Sequence, residues 1–564
     1  MARDILPPNY ASLALICRRI GLAGVLAPLL SLSALLGCVD DTVVGDVGPE
    51  VGEEAETGGS GETQDTGEEF DGRPALGIHI TEVEANQGTA VLIGKNGEWV
   101  DGPGRNAYMI RDRDTLVRLQ HVVDENWIPR EIMGVLHIRD ADGVELPTRT
   151  RTLFIEASSE PSKFATNFYF SVAAAEAQPG TSYWVELLEV SGAIDLSSLS
   201  EGVNVTPPNF RLIGYELTPL EMKIVLVPIE YTFINPPTLV EPTEADIQLF
   251  HDSVLETNPL QTVSLEVHEQ PYVWTTQLTN LGSLLSPMRT VRNADAAGPN
   301  VYYHAIVDVR GPAVNMVAGI ASLTGDTKSD GNNRVAATVW YKPNPDFPPH
   351  GSAGTFVHEI GHNEGLSHVY CPQASSPAAG PDPNYPHEGG KIGVYGFGIR
   401  SFKLYTPTGA HDYMTYCGNA WVSDWTWNKT YARIRTLTSW DYEGAPGASG
   451  PHQPHQPLLI GTLFPDGSED WWVMMGPAPA AEQIGGEQRL AITSEGDHGI
   501  VVDEVYTQIS TLSDDATQVL IAPLHVPINE VQGLSRRTWR GQDHPIELGS
   551  IRVDPQVAGL DWAP

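Results

Sequence analysis

One stretch constrains this chain more than any other: Val357-His358-Glu359-Ile360-Gly361-His362-Asn363-Glu364-Gly365-Leu366-Ser367-His368. On an α-helix, residues four apart share a face, so His358 and His362 can present their imidazoles to one ion. Glu359 stands one position round from His358, where its carboxylate reaches a water on that ion rather than the ion itself. Gly365 can take the left-handed conformation that ends a helix and turns the chain. His368 then returns as a third ligand. Three neutral imidazoles with a fourth position open are the donor set of a catalytic zinc site, whereas structural sites are closed by four protein ligands. The competing reading is a set of surface histidines on an ordinary helix.

Downstream stands His411-Asp412-Tyr413-Met414-Thr415-Tyr416-Cys417-Gly418. The HExxHxxGxxH spacing followed by such a methionine resembles the metzincin zinc metallopeptidases, which carry a Met-turn beyond the third histidine. Met414 takes that place. In astacin-like and serralysin-like members a tyrosine two residues after the methionine ligates zinc or steadies the oxyanion. Tyr416 matches that position, with simple packing as its competing role. Within the group the chain is most similar to secreted bacterial mucin-cleaving metzincins, which also place β-sandwich modules ahead of the protease domain. The resemblance is specific over Met222 to Leu437 and looser in the flanks. It implies an α/β (α+β) metzincin-like catalytic domain, one catalytic Zn2+ held by His358, His362 and His368, and Glu359 as general base. It also implies endoproteolysis of extracellular proteins or glycoproteins.

The N-terminus speaks to location. Arg18 and Arg19 precede an uncharged apolar run from Ile20 to Gly37, the pattern of a secretory signal. The run ends Leu35-Leu36-Gly37-Cys38, which resembles a bacterial lipobox, so residues 1–37 are expected to be a lipoprotein signal and Cys38 the lipid anchor. Val39 after the cysteine favours the outer membrane by the same resemblance. A transmembrane anchor and plain secretion are the alternatives, and the export route stays open. Residues 38–72 are rich in Asp, Glu and Gly and poor in large apolar side chains. Such a segment cannot bury enough to offset its ordering entropy and reads as a disordered tether.

Beyond it the chain is too long for one core. Residues 73–218 show short alternating strands between Gly, Pro, Asn and Asp turns, as in a β-sandwich. Residues 219–445 alternate strands and helices, the pattern of a mixed sheet with covering helices. Thr243 is a candidate helix N-cap, Thr275 to Val291 a candidate amphipathic helix, and Val335 to Tyr341 a candidate edge strand on which an extended substrate could add. Residues 446–457 read as a linker, in which His452 and His455 have no assigned role, and 458–564 as a C-terminal β domain. The fold class expected is therefore multidomain, a catalytic α/β (α+β) domain flanked by β-sandwich domains.

The remaining chemistry is sparse. A formal net charge of −38 argues against nucleic acid, which needs clustered Lys and Arg, and leaves a lipid anchor as the expected membrane link. Cys371 and Cys417 are the two cysteines beyond Cys38. In an oxidising compartment they suggest one disulfide, with free thiols or a fourth metal ligand as alternatives. No cysteine lies between Cys38 and the metal motif, so a cysteine-switch propeptide is excluded. Asp326, Asp330, Asn332 and Asn333 could hold calcium, or form a plain turn. No GxSxG elbow or P-loop is present. Two rival functions remain: a surface binding lipoprotein with an idle protease domain, and a zinc hydrolase of a non-peptide bond.

Overall fold

Alternation of apolar and polar side chains makes residues 78–212 into a run of strands. In β1 (Ile78–Asn86), Ile78, Ile80, Val83 and Ala85 are fully buried, the phase shifting at a bulge between Ile80 and Glu82. The computed structural model describes residues 72–190, 194–341, 351–374, 380–442, 455–477, 484–496, 499–514, 516–538, 543–554 and 557. The expected signal, Cys38, His452 and nearly all of the acidic tether lie outside them. Among the described residues no helix is long and apolar enough to cross a membrane.

Two antiparallel sheets face each other across one apolar core. In chain order the strands are β1, β2 (Ala90–Lys95), β3 (Glu98–Trp99), β4 (Thr115–Val123), β5 (Arg130–Arg139), β6 (Arg149–Ile155) and β7 (Phe168–Val172), and the first sheet runs β3-β2-β1-β4-β7. The second runs β6-β5-β8-β9, with β8 (Ser182–Glu189) and β9 (Val205–Leu212).

A mixed sheet follows. Its spine is β10 (Glu221–Tyr231), flanked by the short β11 (Thr238–Leu239), β12 (Thr262–Val267) and β13 (Tyr272–Trp274). From β10 the order is β14 (Val301–Val307), then β16 (Val335–Val339), then β15 (Gly319–Ala321). The β10-β14-β16 pairs are parallel and β15 is antiparallel. The candidate edge strand is thus misplaced: Val335–Val339 lies inside the sheet, and Gly319–Ala321 forms the edge. The five residues of β16 are all buried, as a strand covered on both faces requires.

Successive β10 side chains feed opposite cores. Ile224 and Leu226 meet α1 (Glu244–Thr257) and α3 (Gly351–Asn363) on one face. Val227 and Ile229 meet α2 (Leu285–Ala294) on the other. Thr243 caps α1, accepting from the Asp246 amide at 3.2 Å while Asp246 accepts from the Thr243 amide. The helix expected over Thr275 to Val291 begins later, as a 3-10 turn at Leu281, because the Asn280 side chain accepts from the Gly282 amide and sets the start there.

Between α3 and α4 (Asp424–Ser439) lie two small pairs, β17 (Gly396–Phe397) with β18 (Leu404–Tyr405) and β19 (His411–Asp412) with β20 (Ala420–Trp421). The last part is one eight-stranded sheet, β27-β26-β23-β24-β25-β21-β22-β28. Its strands are β21 (His455–Leu463), β22 (Glu469–Pro477), β23 (Ile484–Gly496), β24 (Gly499–Thr511), β25 (Gln518–Pro523), β26 (Val531–Thr538), β27 (Asp543–Pro545) and β28 (Arg552–Val553). It begins at His455, inside the segment read as linker. Leu458, Ile460, Trp472 and Met474 pack with Leu284, Leu285 and Met288 in one core.

Residues Gly67–Pro564 form a single compact unit, and the joint between the sandwich and the mixed sheet explains why. Arg113, 2% exposed, donates to the carbonyls of Gln87, Asn258 and Leu260, with its guanidinium over the Trp427 ring. Trp421 and Trp427 donate to the carbonyls of Gly88 and Tyr108.

Candidate metal centre

Helix α3 buries Ala353, Phe356, Val357 and Ile360 against the sheet and α1, a three-and-four spacing that fixes which face carries His358 and His362. The helix stops at a Schellman turn. Gly365 is at φ +82°, its amide donates to the His362 carbonyl at 2.8 Å, and the Leu366 amide reaches back to Gly361 at 3.0 Å. A side chain at Gly365 would strike Arg433 and the Thr324 carbonyl. The same turn orients His362, because the Leu366 carbonyl accepts from His362 Nδ1 at 2.8 Å.

His358 Nδ1 donates to the Tyr413 carbonyl at 2.8 Å. A carbonyl can only accept, so in both residues Nδ1 carries the hydrogen and Nε2 offers a lone pair. Those Nε2 atoms stand 3.1 Å apart, and His362 Nε2 is 3.2 Å from His368 Nε2. Two lone pairs facing at that distance repel unless a cation lies between them. Tetrahedral ligands about 2.0–2.1 Å from zinc would stand roughly 3.3 Å apart, so the donor set fits that ion. Burial holds His358 near a pKa of about 4, the neighbouring His368 adding to the effect, and pushes His362 well below its ordinary value. Both are thus neutral, as ligands must be.

Glu359 is 4% exposed. Burial pushes its carboxyl well above the usual range, opposed by a hydrogen bond from Ser513. It lies against β15, where a Cβ on Gly319 would come 2.6 Å from Glu359 Oε1. Glycine there leaves room for the carboxylate. Tyr416 is 46% exposed, with Oη 3.0 Å from His368 Nε2. Burial of the phenol, with the Glu359 and Asp514 charges adding, pushes its pKa up to about 12, so it is a donor at neutral pH.

Met414 is fully buried, its sulfur against Gly361 of α3. Its carbonyl accepts from the Val369 amide at 2.9 Å, tying the turn to the loop that carries His368. Asp412 organises this turn. Its buried carboxylate accepts from the Met414 amide (2.9 Å), the Ser423 amide (3.2 Å) and hydroxyl (2.5 Å), and Thr426 Oγ1 (2.7 Å). One side chain thereby joins the turn to the N-terminus of α4. Cys371 and Cys417 form a disulfide with Cα atoms 6.2 Å apart, so they are neither free thiols nor a fourth ligand.

The calcium candidates do not converge on a cation. Asp330 Oδ2 accepts from the Thr327 amide at 3.0 Å, and Asn332 and Asn333 accept from Arg292 and Arg289. Two guanidiniums beside those oxygens already fill the role a cation would take.

Asp412, Gly319 and Ser513 were not singled out in the sequence. Asp412 has a signal in its place two residues ahead of Met414. Ser513 had none, being far downstream in another sheet.

No protein-family model matches the chain, and no curated protein matches it. Among solved structures it is similar to the C-terminal domain of Wzt, at 11% identity over 25% of this chain and 87% of that one, with a TM-score of 0.13. A calcium-binding mutant of Bacteroides uniformis β-glucuronidase 2 matches at 12% identity over 41% of this chain and 28% of its own length, with a TM-score of 0.11. A cycloisomaltooligosaccharide glucanotransferase of Paenibacillus sp. matches at 10% identity over 79% and 70%, with a TM-score of 0.16. These TM-scores are too low to show a shared fold.

Proposed function

We propose that the protein is a zinc-dependent endopeptidase of the metzincin type, acting on extracellular proteins or glycoproteins from a lipid anchor at Cys38. The observation that carries this reading is the convergence of three imidazole Nε2 atoms, with the lone pairs of His358 and His362 turned on each other, beside the buried carboxylate of Glu359. A zinc ion held there supplies a Lewis acid for the scissile carbonyl and acidifies a water toward neutral pH.

Glu359 takes a proton from the attacking water and returns it to the leaving amine nitrogen. Tyr416 Oη donates to the oxygen on which negative charge develops. An extended peptide adds to the outer side of β15, where Gly319 turns its amide and carbonyl away from β16. Asp412, Met414 and the Cys371–Cys417 bridge hold the third ligand and Tyr416 in place. The fold class that accompanies this reading is a metzincin-like α/β (α+β) catalytic domain between β-rich flanks.

Zymography on casein and on mucin, with and without a metal chelator and with zinc restored, tests the proposal. Cleavage abolished by the chelator and recovered with zinc is expected. A chain that binds one zinc and cleaves neither protein supports the binding-lipoprotein reading instead.

A further inference from the structure

The turn between β24 and β25 reaches from the C-terminal sheet into the candidate site. Leu512 is fully buried in the core shared with α2, and its backbone bridges Ser322 in antiparallel fashion. The next residue makes three hydrogen bonds to the machinery described above. The Ser513 amide donates to the Ala321 carbonyl at 2.8 Å. The Ala321 amide donates to Ser513 Oγ at 3.0 Å. Ser513 Oγ in turn donates to Glu359 Oε2 at 3.4 Å. Asp514 fixes the tip, accepting from the amides of Ala516 (3.2 Å) and Thr517 (2.8 Å).

A serine hydroxyl has one hydrogen to give. Here it goes to the carboxylate, while the oxygen receives the amide of the edge strand. Ser513 is 6% exposed, so no bulk water competes for either bond. The contact to Glu359 is long for an O–H···O bond, as catalytic hydrogen bonds commonly are before substrate arrives.

We infer that Ser513, contributed by the C-terminal β domain, is a positioning residue of the active site, holding Glu359 in line through a hydroxyl anchored on edge strand β15. This rests on the reading of Glu359 as general base. Without the hydroxyl, the carboxylate keeps its burial but loses the side-chain donor that, among the described residues, fixes Oε2. The C-terminal sheet is accordingly part of the catalytic apparatus and not an appended module.

The test compares full-length wild type, Ser513→Ala and Ser513→Thr by steady-state cleavage of a fluorogenic protein substrate, zinc content and thermal unfolding. Ser513→Ala should lower kcat on the order of tenfold, the scale of one hydrogen bond to a charged group, with KM within about twofold. Zinc content should be unchanged, while the unfolding temperature should fall modestly in Ser513→Ala and recover in Ser513→Thr, because the Ser513 amide still pairs with the Ala321 carbonyl but the buried Ala321 amide loses its acceptor. Ser513→Thr, which keeps the hydroxyl, should recover most of kcat. Unchanged kcat, a rise in KM alone, a loss of zinc, or a threonine variant as slow as alanine overturns the inference while leaving the peptidase reading intact. A zinc-loaded wild type that cleaves no protein overturns both.

Discussion

The sulfur of Met414 lies 2.4 Å from the point a Cβ on Gly361 would occupy, and a ring carbon of Tyr413 lies 2.9 Å from it. The helix that carries the histidines and the turn beneath them therefore meet backbone to side chain, with no room for a methyl group. Gly361→Ala should push the turn away and with it the Tyr413 carbonyl that orients His358. Loss of an outer partner of this kind weakens metal binding by about 10–100-fold, measurable by competition with a chelator. Met414→Leu, which conserves volume, should cost less than about 1.5 kcal/mol and keep zinc.

Glu359 and His362 should separate metal binding from turnover. Glu359→Ala should leave about one zinc per chain and an intact fold, while peptidase activity drops at least about 10²-fold. His362→Ala should lose zinc and activity together, since two imidazoles hold the ion poorly. Metal analysis beside kinetics decides it, and wild-type turnover in Glu359→Ala would sink the mechanism.

The Cys371–Cys417 bridge spans a sequence separation of 46 residues. Constraining the unfolded chain over such a loop contributes about 3–4 kcal/mol in the chain-entropy estimate. Replacing both cysteines by serine should shift the denaturant midpoint accordingly. Thiol labelling of the unfolded, unreduced protein should find no reactive group at either position.

A buried histidine sets an acid limit on the fold. His304 on β14 is fully buried, its Nε2 2.7 Å from Thr338 Oγ1 and its ring against Phe356, and burial pushes its pKa down to about 3. Below about 6.5 the unfolded chain takes up a proton there that the native state refuses, so this group's contribution to stability falls as pH drops from about 6.5 toward 3. The slope approaches about 1.4 kcal/mol per pH unit. Urea midpoints at neutral and mildly acid pH should show the loss. His304→Leu should make it shallower without abolishing it, since His121 is held neutral in the same way, at about 4.

What could be read in the sequence was what is local. The three histidines, Glu359 and Gly365 fall within one helix and its exit turn, so spacing alone locates them. Met414 and Tyr416 followed from the resemblance, and the disulfide from cysteine arithmetic. The edge of the sheet was misread because β15 is only Gly-Ile-Ala, too short to show a period, whereas Val335–Val339 shows a clear apolar run. That run was itself the signal of a strand covered on both sides. Asp412 and Ser513 act through partners brought near by folding, and no periodicity reports such contacts.

The buried joint at Arg113 carries a consequence for anyone trimming this molecule. Its guanidinium binds carbonyls on both sides of the seam and stacks on a tryptophan of α4, the helix that Asp412 ties to the turn at Met414. Cutting the chain after β9 would strip the cover from Trp427 and orphan the carbonyls of Asn258 and Leu260. A fragment made of the mixed sheet alone should therefore come out insoluble or metal-free. Distance from the histidines is a poor guide to what this chain can spare.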